Sequence, residues 1–204
     1  MKIKVCGMKY EENINAISLL KPDYIGFIFY KFSKRKIISP IKCNTKNIKR
    51  VGVFVNSDEK TIYNMVKTNS LNLVQLHGEE SPKLCENLKK RSLKVIKAFA
   101  IDDSFDFNKL NIYKDCVDYF LFDTKGLKYG GNGYSFDWNL IENYKLDKPY
   151  FLSGGIGLES FDKIKEFKKN KASKYCYGID INSQFEVKPG YKDKNKVKTF
   201  IDKL

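Results

Sequence analysis

Eight short apolar segments recur along the chain, about one every 20 to 30 residues, and this repeat constrains the fold more than any other feature. Each segment is rich in Val, Ile, Phe and Tyr, residues that favour β-strands. We therefore predict strands at residues 3–6, 24–29, 50–55, 73–76, 94–98, 119–122, 150–152 and 175–179.

Between the predicted strands, several stretches space their apolar residues three or four apart, as amphipathic helices do. Ile14, Ile17 and Leu20 show this spacing. We predict helices at residues 11–20, 59–67, 82–90, 158–167 and 194–204. The connectors after residues 29 and 98 are less regular, and a helix is least well supported there.

The alternation of buried strands with helices predicts a parallel sheet, either open or closed into a barrel. Eight such units in 204 residues fit a compact closed (β/α)8 barrel, the TIM-barrel fold. An open dinucleotide-binding sheet would place a GxGxxG motif after the first strand, where only Cys6, Gly7 and Met8 stand. No linker or change of composition divides the chain, so we expect one domain over residues 1–204.

The formal net charge is +14, and only three of the basic residues are arginines, namely Arg35, Arg50 and Arg91. Nucleic-acid-binding proteins usually concentrate charge on one element and use arginine for bidentate contacts. Here lysine is spread through most predicted helices and loops, which favours a solvated surface and no nucleic-acid partner. A positive field that attracts an anionic ligand is the alternative.

The five cysteines are scattered, form no CxxC pair, and are accompanied by a single histidine. This pattern argues against a disulfide framework and against a zinc site, so we expect no metal. No apolar run approaches the roughly 20 residues of a membrane span, and the lysines near the start do not suit a signal peptide. These features predict a cytoplasmic protein without a membrane partner.

In (β/α)8 enzymes the active site lies at the carboxyl ends of the strands, and the loops after the last two strands often bind phosphate. Gly154 and Gly155 follow the seventh predicted strand, and Asp180, Asn182 and Ser183 follow the eighth. Glycines let backbone N–H groups approach an anion. A tight turn would equally explain the two glycines, but both loops together favour a site for a phosphorylated small molecule.

Two reactive side chains end strands that lie far apart around the predicted ring. Cys6 ends the first strand and Asp123 ends the sixth. A lone cysteine is more often a small buried apolar residue, and a lone aspartate is often a turn residue. Their positions instead favour an acid–base pair. Such a pair requires a lowered pKa for the thiol and a raised pKa for the carboxyl.

Short motifs occur in order along nearly the whole chain, at residues 4–8, 23–29, 51–56, 74–79, 122–125, 130–133, 136–138, 152–156, 178–183 and 186–190. Any one of them is weak, but together they resemble the phosphoribosylanthranilate isomerase family, enzymes of tryptophan biosynthesis. The resemblance implies a TIM barrel and an Amadori rearrangement without a metal or organic cofactor. The implied substrate is N-(5-phosphoribosyl)anthranilate, and the product is 1-(2-carboxyphenylamino)-1-deoxyribulose 5-phosphate.

The resemblance also implies individual roles for several residues. Asp123 would protonate the furanose ring oxygen, and Cys6 would take the proton from C2 of the sugar. Arg35 would face the anthranilate carboxylate, which suits a guanidinium fork, and Gly131 would join the substrate-binding loops. His77 ends the fourth strand, and either a contact to substrate or an anchor for the loop after it fits that position.

Two other functions compete with this interpretation. A related barrel enzyme, such as an isomerase of the histidine pathway or an indole-glycerol-phosphate synthase, would keep the phosphate loops but change the catalytic pair. A basic module that binds RNA or DNA would need a lysine or aromatic cluster on one surface instead. The sequence leaves open whether the protein is a monomer or a homodimer.

Overall fold

Eight parallel strands close into a barrel in the order of the sequence, with β8 pairing back onto β1. The computed structural model describes residues 1–43, 45, 47–124 and 136–204. The strands are β1 Lys2–Val5, β2 Tyr24–Ile28, β3 Lys49–Phe54, β4 Leu73–Leu76, β5 Lys94–Ile101, β6 Tyr119–Thr124, β7 Tyr150–Leu152 and β8 Cys176–Ile181. The predicted (β/α)8 architecture is thus confirmed.

Helices connect most of the strands. The α-helices are α1 Glu11–Ser18, α2 Glu59–Asn69, α3 Pro82–Lys90, α4 Phe161–Phe167 and α5 Lys194–Lys203. Short 3₁₀ helices occupy Phe107–Tyr113, Trp138–Asn143, Leu158–Ser160, Lys171–Tyr175 and Ser183–Phe185. None of the helices in this described part of the chain combines the length and apolarity that crossing a membrane requires.

The two irregular connectors depart from the simple strand–helix repeat. Between β2 and β3 the described residues contain no helix, and the chain there makes one isolated bridge between Ile28 and Lys36. The connector after β5 holds the 3₁₀ helix Phe107–Tyr113 rather than an α-helix. Both departures follow from the weak apolar periodicity of these stretches.

Side chains at the helix starts explain where several helices begin. Ser81 caps α3 by accepting a hydrogen bond from the backbone N–H of Leu84 at 3.3 Å, and Pro82 occupies the first helical position. Asp58 caps α2 in the same way through the N–H of Thr61 at 2.8 Å. These caps satisfy N–H groups that have no partner within the helix.

The core has two parts, as expected for a closed barrel. One lies between the strands and the surrounding helices. The other fills the barrel itself and is mostly apolar, with Tyr24, Val51, Leu73, Ile96, Ala98, Leu121 and Phe151. Several of these residues stand near the beginning of their strands, so the amino-terminal end of the barrel is closed by apolar packing. The polar side chains of the barrel interior lie toward the carboxyl-terminal end.

An antiparallel hairpin follows β8, formed by β9 Glu186–Lys188 and β10 Tyr191–Lys192. The sequence analysis did not predict it. Asn13 of α1 holds it, because its amide donates to the carbonyl of Lys192 at 2.8 Å and accepts from the N–H of Lys192 at 2.7 Å. The hairpin thereby brings two charged side chains, Glu186 and Lys192, beside the end of β1.

Candidate active site

Cys6 lies directly after β1, at the carboxyl-terminal end of the barrel, and is 4% exposed. Its backbone N–H donates to the carbonyl of Ile181 on β8 at 2.9 Å. The side chain lies over Gly26 of β2, where a Cβ atom would be only 2.9 Å from the sulfur. A side chain at position 26 would therefore displace the thiol.

The electrostatic surroundings of Cys6 differ from the expectation that its pKa is lowered. Burial raises the pKa of the Cys6 thiol, Lys4 works against this rise, and Asp180 adds to it. The prediction of a lowered pKa is wrong, because a thiolate in this buried position loses its hydration. Any thiolate formed there depends on neighbouring cations.

Asp123 lies near the end of β6 and is 9% exposed. Its Oδ1 accepts a hydrogen bond from the backbone N–H of Thr124 at 2.9 Å, and its Oδ2 lies 3.3 Å from Nε2 of His77. Gln75 Nε2 in turn lies 2.8 Å from Nδ1 of His77. Both ring nitrogens of His77 thus have a polar partner.

Glu80, and not His77, anchors the loop that follows β4. Its carboxylate accepts from the N–H groups of Gly78 at 2.9 Å and Asn56 at 2.9 Å, and Lys97 lies 3.2 Å away. Of the two roles left open for His77, the loop anchor is thus filled by another residue. A contact from His77 to the substrate stays a prediction.

Asp180, on β8, interacts electrostatically with both proposed catalytic side chains. It accepts from Nζ of Lys4 at 2.9 Å. Burial raises the pKa of the Asp180 carboxyl, and Lys4 opposes this rise. Asp123 also raises this pKa and His77 lowers it, and the net direction is upward. Since Asp180 also acts on the Cys6 thiol, it links the two sides of the site.

Arg35 reaches the site from the connector between β2 and β3, and its guanidinium is clamped by Glu186. Nε donates to Oε1 at 2.8 Å, and Nη2 donates to Oε2 at 2.6 Å. Gly7 provides the space, because a Cβ there would lie 2.8 Å from Cδ of Arg35 and 2.7 Å from Oδ1 of Asn182. The clamp fixes Arg35 beside Gly7 and uses the Nε–Nη2 edge of its guanidinium.

Lys192 completes this side of the site, and the sequence analysis did not single it out. Its Nζ donates to Asn182 Oδ1 and to Glu186 Oε1, each at 2.7 Å. Burial lowers the pKa of Lys192 to about 8, although Glu186 opposes the change. Glu186 itself is buried, but Arg35 and Lys192 outweigh the burial and hold the pKa of its carboxyl below the usual range.

The two predicted phosphate loops stand side by side after the neighbouring strands β7 and β8. Gly154 and Gly155 have φ values of +93° and +63°, which side chains rarely adopt. A Cβ at Gly154 would also lie 2.7 Å from the backbone nitrogen of Thr124. Ser183 begins a short 3₁₀ helix just beyond β8. The predicted contact at Gly131 lies outside the described residues.

Comparison with known proteins identifies the family. The family model described as N-(5'-phosphoribosyl)anthranilate (PRA) isomerase matches residues 3–203. A relative of that name from Parabacteroides distasonis is 43% identical, covering 100% of this chain and 93% of the relative.

Two solved structures share the fold at full length. The Thermotoga maritima phosphoribosyl anthranilate isomerase has a TM-score of 0.84 at 34% identity, with 100% of this chain and 98% of that chain covered. Another structure of such an isomerase, in complex with reduced 1-(o-carboxyphenylamino)-1-deoxyribulose 5-phosphate, has a TM-score of 0.81 at 31% identity, covering 100% and 97%. The chain therefore belongs to the N-(5'-phosphoribosyl)anthranilate isomerase family.

Proposed function

We propose that Asp123 and Cys6 are the acid and the base of the isomerisation that this family performs. The reaction is an Amadori rearrangement of N-(5'-phosphoribosyl)anthranilate to 1-(2-carboxyphenylamino)-1-deoxyribulose 5-phosphate, an aldose–ketose isomerisation of tryptophan biosynthesis. The observation that carries the assignment is the position of both side chains at the carboxyl end of the barrel, where Asp123 acts on Asp180 and Asp180 acts on the Cys6 thiol. Reaction at these strand ends is the general rule for the fold.

Ring opening is the step assigned to Asp123. Its protonated carboxyl gives a proton to the furanose ring oxygen while the C1–O bond breaks. The lone pair of the anthranilate nitrogen forms the C1=N bond, so an iminium ion results. The carboxylate left behind is stabilised by the N–H of Thr124 and by Nε2 of His77. Both contacts are present in the structure.

Proton removal from C2 is the step assigned to Cys6. The thiolate takes the C2 proton, and the electrons of the C–H bond move toward the iminium nitrogen to give an enolamine. Protonation at C1 and loss of the proton from the C2 hydroxyl then give the ketone. Substrate and product are isomers, so the balance of atoms and electrons needs no further reactant.

Substrate binding is assigned to two groups of residues, which would hold the two ends of the molecule. Gly154, Gly155 and Ser183 offer backbone N–H groups for the phosphate. Arg35 offers the free edge of its fork for the anthranilate carboxylate, and Glu186 keeps it oriented. A related isomerase has been crystallised with a reduced product that carries both anionic groups. Asn182 and Asp180 are left to contact the sugar hydroxyls.

The test is the loss of substrate fluorescence on turnover, measured with the wild-type protein and with Asp123→Asn. The asparagine keeps the shape of the side chain but has no acidic proton, so we expect kcat to fall by about 100-fold or more while the fold is retained. Full turnover by Asp123→Asn would remove Asp123 from the mechanism. Activity with other phosphorylated sugars only would favour the related barrel enzymes instead.

A further inference from the structure

Lys4 is a fully buried lysine on β1, two residues before Cys6, which directly follows the strand. Alternate residues of a strand face the same side, so both side chains point into the barrel. Gly26 of β2 lies opposite, and a Cβ there would be 2.9 Å from the sulfur of Cys6 and 3.2 Å from Nζ of Lys4. The ammonium and the thiol therefore lie side by side over one glycine.

The ammonium of Lys4 keeps its charge despite burial. Burial alone would lower the pKa of Lys4, but Asp180 and then Cys6 outweigh it, and the net direction is upward. Asp180 Oδ1 accepts from Nζ at 2.9 Å. An ammonium has three donors, and this contact takes one of them. The sulfur of Cys6 lies beside the same ammonium.

The charged groups around Cys6 carry an excess of positive charge, which favours one further negative charge. Lys4 acts on the thiol from β1, Asp180 from β8 and Lys192 from β10, whereas β2 presents only Gly26. Lys192 is tied to Glu186, which also binds Arg35. Three cations thus face two carboxylates when Cys6 is a thiol. Ionisation of Cys6 makes this cluster neutral, which favours a thiolate that burial otherwise opposes.

We propose that Lys4 is the positioning residue for Cys6, with its ammonium, anchored by Asp180, stabilising the thiolate that removes the C2 proton. This inference rests on the proposed role of Cys6 as the base. Lys4 lies beside the sulfur of Cys6 and makes or breaks no bond in the proposed reaction, so it acts through Cys6. Its partner Asp180 ties the ammonium to β8 and keeps it from turning away from the sulfur.

The test follows the ionisation of Cys6 without substrate. Cysteine Cβ is labelled with carbon-13, and the Cys6 resonance is assigned by its loss in Cys6→Ser. We expect the Cys6 titration in Lys4→Met to move upward by at least about one pH unit, because the nearest cation is gone. In Lys4→Arg a cation is retained beside the sulfur, so the same titration should stay close to that of the wild type.

The turnover number, kcat, provides a second measurement of how Lys4 affects Cys6. Lys4→Met should lower kcat by about 100-fold near neutral pH and regain part of the loss as pH rises, whereas Lys4→Arg keeps the cation and most of the rate. Lys97→Met is the matched control, since Lys97 is also a buried barrel lysine with a carboxylate partner, Glu80. It should leave the Cys6 titration unchanged.

Three results would overturn the proposal. They are an unshifted Cys6 titration in folded Lys4→Met, an equal upward shift in Lys97→Met, and an upward shift in Lys4→Arg as large as that in Lys4→Met. Lys4→Gln decides the matter if Lys4→Met does not fold, because it removes the same charge and its Cys6 titration must also move upward. If these titrations shift as expected while Cys6→Ser retains full activity, Lys4 still governs the thiol but the role of Cys6 as the base is refuted. The two claims therefore fail separately.

Discussion

Nε2 of His77 lies 3.3 Å from Oδ2 of Asp123, and this contact joins the end of β4 to the end of β6. Gln75, two residues earlier on β4, fixes the other side of the imidazole through Nδ1 at 2.8 Å. His77 therefore orients the proposed acid, Asp123, and Gln75 in turn orients His77. Such support usually determines whether a catalytic group keeps its productive geometry.

Replacement of His77 by Ala should lower kcat by about 10-fold or more and change KM little, because Asp123 loses the donor that orients its carboxyl. His77→Gln keeps an amide donor and should retain more of the rate. Steady-state kinetics on both variants provides the measurement. If His77→Ala raises KM alone, His77 contacts the substrate rather than supporting Asp123.

Replacement of Glu186 by Gln should destabilise the protein by roughly 3 kcal/mol, because half-buried Arg35 and buried Lys192 lose their shared counter-charge. The KM for substrate should also rise, since Arg35 is no longer clamped. Urea unfolding measures the first effect. Glu166→Gln is the matched control, because Glu166 makes an exposed ion pair with Lys169, and such a pair contributes little. Equal unfolding free energies for the two variants would contradict the structural role of Glu186.

The pH dependence of stability should reveal the buried thiol of Cys85. Burial raises the pKa of Cys85 to about 12, whereas an unfolded thiol titrates near 8.5. The folded state therefore holds the proton more tightly, and the associated stability is present below about pH 8.5 and is lost as pH rises toward 12. Relative to Cys85→Ala, the wild type should lose on the order of 2 kcal/mol between about pH 9 and about pH 11.

Leu88→Ala provides the control for the Cys85 comparison. Leu88 is buried in the same helix, α3, and does not titrate. Its replacement should cost roughly 2–5 kcal/mol at every pH. Chemical unfolding across this range would contradict the assignment if the difference between wild type and Cys85→Ala did not change with pH.

The fold could be predicted because its signal is periodic. Apolar runs such as Leu73–Leu76 and amphipathic stretches such as Pro82–Lys90 repeat along the chain and agree with the structure at both ends. The connector between β2 and β3 carries no such period, so its path depends on tertiary contacts. A single sequence does not contain those contacts in readable form.

The candidate site, too, could be predicted from the sequence only in part. Cys6, Asp123, Gly154 and Gly155 could be placed because strand ends are where this fold reacts. Lys4 could not, because a lysine is almost never fully buried unless it is paired, and its partner Asp180 lies at the other end of the chain. The clamp of Glu186 on Arg35 was missed for the same reason, although both residues fall in or near motifs of the family.

The central claim is that Cys6 removes the C2 proton, and a single-turnover measurement on Cys6→Ser tests it most directly. Excess enzyme is mixed with freshly made N-(5'-phosphoribosyl)anthranilate near neutral pH, and the loss of substrate fluorescence is followed. A serine hydroxyl at this position is a far weaker base than a thiolate, so we expect the rate constant to fall by about 100-fold or more while the substrate still binds. A rate constant equal to that of the wild type would make Cys6 a packing residue and contradict the mechanism.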